Sequence, residues 1–451
     1  MNNDNKLIAE VEELKFNFHT TTEKLIREIK RQDKIMFRSD KRQRQEYDNL
    51  QIKLHQVEKL QIAQKDLLDA FIHLIASAID EKSRHTGGHC TRIPELSLLI
   101  ADAANNSEEG IFKEFTIETE DQKRELSIAS WLHDCGKVTT PEYVGDKATK
   151  LETITNRIHE IRTRFEVIHR DKTIEALNKK IAGEDAKITD LWLEKEHNRL
   201  KEEFEIIANA NIGSEYMEND IKKYIRDVAL QTWTRNFDDT IGLAREEKNR
   251  VLLEKSTTPQ VEKLLDDKIR HIIPRNHFDY EEYEKMGFKT EVPKDLYNLG
   301  ELYNITISAG TLSYEERFKI QEHVHMTIKM LEQLPFPDYL KNVPLYAGAH
   351  HETLIGTGYP RKLSAKDMPI ASRIMAVADI FEALTAVDIP YKNAKTLSKS
   401  IDIMHSMVQK KHIDKDIFQL FLKNNIHMVY AKKYLNKEQI DTVDVQKYLD
   451  T

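Results

Sequence analysis

Apolar side chains recur alternately three and four residues apart through Tyr47, Leu50, Leu54, Val57, Gln61, Gln64, Leu68, Phe71 and Ile75, the seam of a coiled coil with two glutamines in it. A shorter seam of Leu7, Val11, Leu14, Phe18 and Leu25 precedes it, and the charged stretch "KRQDKIMFRSDKRQRQEYD" between the two reads as a solvated helix face. Residues 1–70 are therefore expected to form coiled-coil helices that pair with a second copy of the chain. From about 152 to 304 the pattern is again helical but densely charged, as in "RIHEIRTRFEVIHRDKTIEALNKKI" and "NRLKEEFEIIANA". Turns are expected at "STTPQ" and "IIPRNHFDY", with Ser256 or Thr257 capping a helix that starts near Pro259. Further on, "LSYEERFKIQEHVHMTIKML" predicts an amphipathic helix and "ASRIMAVADIFEALT" an apolar one.

Composition strengthens the helical reading. Among 451 residues, only 14 are Gly and 11 Pro, while 32% are charged and 40% hydrophobic, which favours long helices and an all-α fold of two or three domains. A net charge of −8 argues against a binder of nucleic-acid polymers, since phosphate binding needs a basic excess. Two cysteines, Cys90 and Cys135, are too few for a disulfide framework and read as reduced, partly buried thiols of a cytoplasmic protein. No apolar run approaches the roughly 18 residues of a membrane span, and the N-terminus lacks the pattern of a secretory leader.

Four segments carry metal-ligand chemistry. In "DEKSRHTGGHC", Glu81 and His85 are four apart and would share a helix face, with His89 one turn further. In "WLHDCGK", adjacent His133 and Asp134 can bridge two ions, and Lys137 follows one turn later. The amphipathic helix offers His323 or His325; "AHHETLIGTGYP" offers His350 and His351; and Asp379 is a lone carboxylate inside an apolar helix, where a charge should be paired or metal-bound. Each alone has a bland explanation, such as a hydrogen-bonded His-Asp couple, a satisfied core histidine or an Asp379–Arg373 ion pair. Together they give eight N and O donors and no thiolate, a set for two or three divalent ions: iron or manganese first, with magnesium, nickel or zinc also suited.

The strings "HDCGK", "HHE", "GTGYP" and "RIMAVADIFEALTAVDIPYK" resemble the HD-GYP family, metal-dependent phosphodiesterases of the HD superfamily that hydrolyse cyclic diguanylate. The resemblance covers about 70–151 and 305–425. It implies an HD-type helical bundle over 71–425, interrupted by a helical insertion at about 152–304, with a helical tail at 426–451. It further implies that His133, Asp134, His323, His350, His351 and Asp379 hold a di-metal core, and that Glu81 and His85 match the extra ligands of trinuclear members. Lys137, with Asp134, would act at the scissile phosphate. His323 fits the family's histidine better than His325, because a threonine follows it four residues on. Two positions depart from the pattern: Ile355 stands where the family has Asp, and Ile389 where it has an Arg that would grip phosphate, a contact that Lys392 or Arg361 could replace only in part. In the loop, Gly356 and Gly358 would let backbone approach the substrate, and Tyr359 would stack on guanine or simply pack. The implied activity is hydrolysis of cyclic di-GMP to linear pGpG, and onward to GMP. Rival readings are a degenerate module that binds cyclic di-GMP or docks a diguanylate cyclase partner, and an HD hydrolase of another nucleotide. The first 70 residues resemble a signalling helix, which makes a homodimer the expected assembly.

Overall fold

Between residues 1 and 86 there is neither glycine nor proline, so nothing interrupts a helix once it has formed. The computed structural model, which describes residues 2–82, 88–213, 216–254, 257–386 and 395–449, accordingly has one continuous helix α1 (Asn2–Lys82) where two were expected. The chain divides into Met1–Phe71 and Ile72–Thr451. Along the first unit the apolar seam, including Leu14, Phe18, Leu50, Leu54 and Val57, is exposed.

In the second unit Ile72, Ala76 and Ile79 of α1 are buried. Gly88, at φ 83°, sets the start of α2 (His89–Asn105), and a Thr119–Gln122 capping box starts α3 (Glu120–Leu132). A short α4 (Glu142–Gly145) follows. The later half contributes α11 (Tyr314–Glu332), opened by a Ser313–Glu316 capping box, then α12 (Val343–Gly348) and α13 (Ile370–Thr385). After these come α14 (Leu397–Gln409), α15 (Lys415–Lys423), α16 (Ile426–Tyr434) and α17 (Gln446–Leu449). Helix α2 packs on α3 and α13, while α12 joins α3 to α11, so sequence-distant histidines meet across an all-α bundle. Of the expected tail at 426–451, residues 426–449 are described, and Gln439 Nε2 donates to the Thr385 carbonyl at 2.9 Å.

Residues 152–304 hold α5 (Ile158–Ile181), α6 (Ala186–Ile212), α7 (Asn219–Ala229), α8 (Arg245–Val251), α9 (Tyr280–Lys285) and, straddling their end, α10 (Glu301–Ile305). Ile158, Ile161, Phe165 and Ile168, spaced for one face of α5, share a core with Leu200, Ile207, Ile225, Leu264 and Leu265. Two small antiparallel sheets lie among these helices, and the fold remains all-α. Strand β1 (Thr232–Arg235) pairs with β2 (Gln260–Lys263) in the register Thr234↔Val261, so the helix expected near Pro259 is a strand. The deciding contact is non-local, since buried Glu262 of β2 accepts from Arg235 Nε of β1 at 2.9 Å. Strand β3 (Ile272–Pro274) pairs with β4 (Asp295–Asn298) in the register Ile273↔Tyr297. The stretches that flank the segment are tied to each other: the buried Lys147 ammonium bonds both Glu316 oxygens at 2.8 Å, and Lys150 donates to the Ile305 and Ile307 carbonyls at 3.1 and 2.8 Å.

Candidate metal centre

His133 ends α3 and Asp134 leads into a tight 3-10 turn, Cys135–Thr139. This turn lies hard against α11. A Cβ on Gly136 would sit 1.9 Å from the His323 carbonyl oxygen and 2.6 Å from the Thr327 nitrogen, so only glycine allows the approach. Thr327 Oγ1 closes the joint, accepting from Gly136 N at 2.9 Å and donating to the His133 carbonyl at 3.1 Å. The threonine one turn beyond His323 is thus the bolt between the His-Asp turn and the helix that carries the next histidine.

Three imidazoles are oriented in the same way. The Nδ1 of His133 lies 2.7 Å from the Ser130 carbonyl, that of His323 2.5 Å from Ile320 O, and that of His350 2.6 Å from Ala347 O. A carbonyl only accepts, so each Nδ1 carries the proton and each Nε2 is left with a lone pair directed inward. The Nε2 atoms of His323 and His350 and Oδ1 of Asp134 are buried without a hydrogen-bond partner. His323 Nε2 is 3.2 Å and His350 Nε2 4.0 Å from that same Asp134 oxygen. Electron pairs facing one another in a buried space call for a cation between them.

Donor atoms within 4.8 Å of one another come from His323, His350 and His351, from His89, His133 and Asp379, and from His133, Asp134 and His350. The third group overlaps the other two, which makes adjacent cation positions with His133, Asp134 and His350 between them. Donor type and number suit divalent ions. Burial opposes the charge of Asp134, but the Lys137 ammonium at 2.6 Å and then His133 hold its carboxyl well below the usual range. Burial likewise opposes protonation of His133, yet the Asp134 charge lifts it to about 9. His350 is pushed down to about 4 by burial and then by the charge of His133.

The remaining expected residues fall as follows. His325 is turned away from the cluster: its Nε2 is 3.0 Å from Tyr283 Oη and its ring lies among Tyr283, Phe288 and Phe318, so of the two it is His323 that faces the other donors. Glu81, in the last turn of α1, is exposed and belongs to none of the donor groups, and His85 lies outside the described residues. His89, first in α2, joins the cluster instead, its Nε2 3.3 Å from Asp134, 3.4 Å from Asp379 and 3.2 Å from His133 Nε2. Arg361 pairs with Glu332 at 2.8 Å, donates to the Met286 carbonyl at 3.1 Å and covers the Phe288 ring. Gly358 serves close packing, since a Cβ there would lie 2.5 Å from Glu352 Cα. Tyr359 packs, stacked on His351 with centroids 4.8 Å apart and set against Phe288, Val324 and Ile328. Lys392 and Ile389 lie outside the described residues, and Ile355 is exposed, bridged to Ser364. Sequence reasoning missed Glu382, whose carboxylate takes the His89 Nδ1 and Arg92 Nε, the latter at 2.7 Å. Its signal was the one used for Asp379, a carboxylate inside an apolar helix.

Glu352, between the histidines and the glycine loop, is no ligand. Its two oxygens accept from the Arg361 and Leu363 amides at 2.7 and 2.9 Å and so cap the loop. Replacing Glu352 with alanine is expected to cost about 1–3 kcal/mol, the scale of leaving buried amides unpaired, with metal content unchanged. Denaturant unfolding and elemental analysis check both halves, and loss of metal in a folded variant would contradict the capping role.

The segment 280–290 backs this loop. Lys289 N donates to the Pro360 carbonyl at 2.7 Å, Lys329 pairs with Glu282 at 2.6 Å, and Phe288 is buried against Val324 and Ile328 of α11.

With this geometry in place, the family model for the HD domain matches residues 260–417. Over those residues the chain is thus similar to the HD domain family. The match takes in His323, His350, His351 and Asp379, with His133 and Asp134 upstream of it beyond the 152–304 segment. Among known proteins the chain is similar to 3'3'-cGAMP-specific phosphodiesterase 1 of Vibrio cholerae, 32% identical over 151 residues, which cover 32% of this chain and 34% of that protein. It is also similar to 3'3'-cGAMP-specific phosphodiesterase 3 of the same organism, 36% identical over 130 residues, covering 29% and 27%. A cyclic di-GMP phosphodiesterase of Thermotoga maritima is 31% identical over 149 residues, covering 31% and 40%. The chain therefore spans between 27% and 40% of these curated relatives' length. Among the described residues no helix is long and apolar enough to cross a membrane.

Proposed function

We propose that this chain is a metal-dependent phosphodiesterase that opens cyclic di-GMP to linear pGpG and carries it on to GMP. The observation that supports it most is the set of carbonyl-anchored histidines whose inward lone pairs meet Asp134 and Asp379 in a buried space. Two or three divalent ions, iron or manganese, would be held by His89, His133, Asp134, His323, His350, His351 and Asp379. When bound, such ions supply a hydroxide near neutral pH and neutralise charge on the phosphodiester. The protein's own part is to fix the donors, to hold Lys137 beside Asp134 as a cation for the phosphate, and to exclude bulk water. A second copy of the chain would cover the exposed apolar seam of α1, and the 152–304 segment is read as an insertion in the catalytic domain.

The names of two relatives favour a second substrate, 3'3'-cGAMP. Both are tested by incubating manganese-loaded protein separately with cyclic di-GMP and 3'3'-cGAMP and separating the products by chromatography. Linear dinucleotide from the first supports the principal reading, product from the second alone supports the other, and none from either with metal bound defeats both.

A further inference from the structure

His89 differs from the other anchored imidazoles in what stands behind it. His133, His323 and His350 give their Nδ1 proton to neutral peptide carbonyls. His89 gives its own to the carboxylate of Glu382, which is 1% exposed. The other Glu382 oxygen is taken by Arg92, with Nε at 2.7 Å and Nη2 at 2.5 Å. The arrangement is reciprocal: Arg92 is one turn after His89 on α2, and Glu382 is one turn after Asp379 on α13, so each helix presents one inward donor and one member of the supporting ion pair.

We infer that Glu382 is a positioning residue that makes the cation positions unequal. A carboxylate behind an imidazole fixes its tautomer and raises its basicity more than a carbonyl does. The position bounded by His89, His133 and Asp379 thus combines a carboxylate of its own with a carboxylate-backed histidine, whereas that bounded by His323, His350 and His351 has only imidazoles beside Asp134, whose two oxygens face both positions. The first is the harder, more anionic site and holds a hard divalent ion more tightly. Arg92 keeps Glu382 ionised and aimed, which is why a second buried carboxylate can stand one turn from Asp379 without an ion of its own.

The inference rests on the metal-centre reading and is tested apart from turnover. Metal-stripped, full-length protein is titrated with manganese and followed by native mass spectrometry and by the spin-resonance signal of free manganese. In Glu382→Gln the amide cannot accept from both His89 and Arg92. One bound ion is expected to weaken by about 10–100-fold, the range for lost support behind a metal-bound histidine, while the others keep wild-type affinity. Should that variant lose helical content, Arg92→Lys, which keeps the charge but not the forked contact, decides, with a smaller weakening of the same ion expected. Wild-type affinity for every ion in the folded variant, or equal weakening of all, overturns the inference and leaves the metal centre standing. A wild-type protein that binds no manganese overturns the metal-centre reading instead.

Discussion

Replacing His133 and Asp134 together with alanine is expected to remove bound metal and to lower phosphodiester hydrolysis by about 10³-fold or more, the scale on which loss of a single electrostatic stabiliser already acts. His133 belongs to two donor groups and Asp134 to one of them, so the change strips adjacent cation positions at once. Helical content should be nearly unchanged, because α2, α3 and α13 bury Ile93, Leu96, Leu126, Ile374 and Phe381 independently of the ligands. Elemental analysis, circular dichroism and product chromatography on one preparation check the three parts, and wild-type metal content in the variant would mean the centre lies elsewhere.

Gly136→Ala is expected to be the most damaging glycine-to-alanine change among the described residues. The new atom meets main-chain atoms of His323 and Thr327, and backbone cannot rotate aside as a side chain can. The His-Asp turn must lift from α11, at a cost of about 1–3 kcal/mol for overpacking or more, and the separation of Asp134 from His323 grows with it. A lower unfolding midpoint together with reduced metal content is the expected result; an unchanged midpoint would show that the turn is looser than its contacts imply. Thr327 and Gly136 carry no chemistry themselves, so their importance comes wholly from holding two sequence-distant ligands in register.

The helices and most of the donor set were legible because imidazoles and carboxylates inside apolar periodicity have few inexpensive structural uses. His133, Asp134, His323, His350, His351 and Asp379 were readable on that ground and from the family resemblance. Glu81 to His85 and His85 to His89 are both four residues, so periodicity alone does not say which of these side chains face the cluster. Arg361 looked available for phosphate, but Glu332 and the Met286 carbonyl, remote in sequence, claim its guanidinium. Strand β2 was hidden for the same reason, since its partner strand lies more than twenty residues upstream and the charge that settles it, Glu262, is satisfied only across the sheet. Local pattern decides where a helix can run; it does not reveal which distant group will take up a given side chain.

Phe288 comes from the segment whose purpose composition left open, yet it shares a socket with Tyr359, and Tyr359 lies flat on His351. A shared apolar cluster and one ring stack thus connect this region to an imidazole of the centre. Drift in the bulk of that one aromatic is therefore constrained by the fit of a neighbour it never touches, and the two halves of the domain must change in concert.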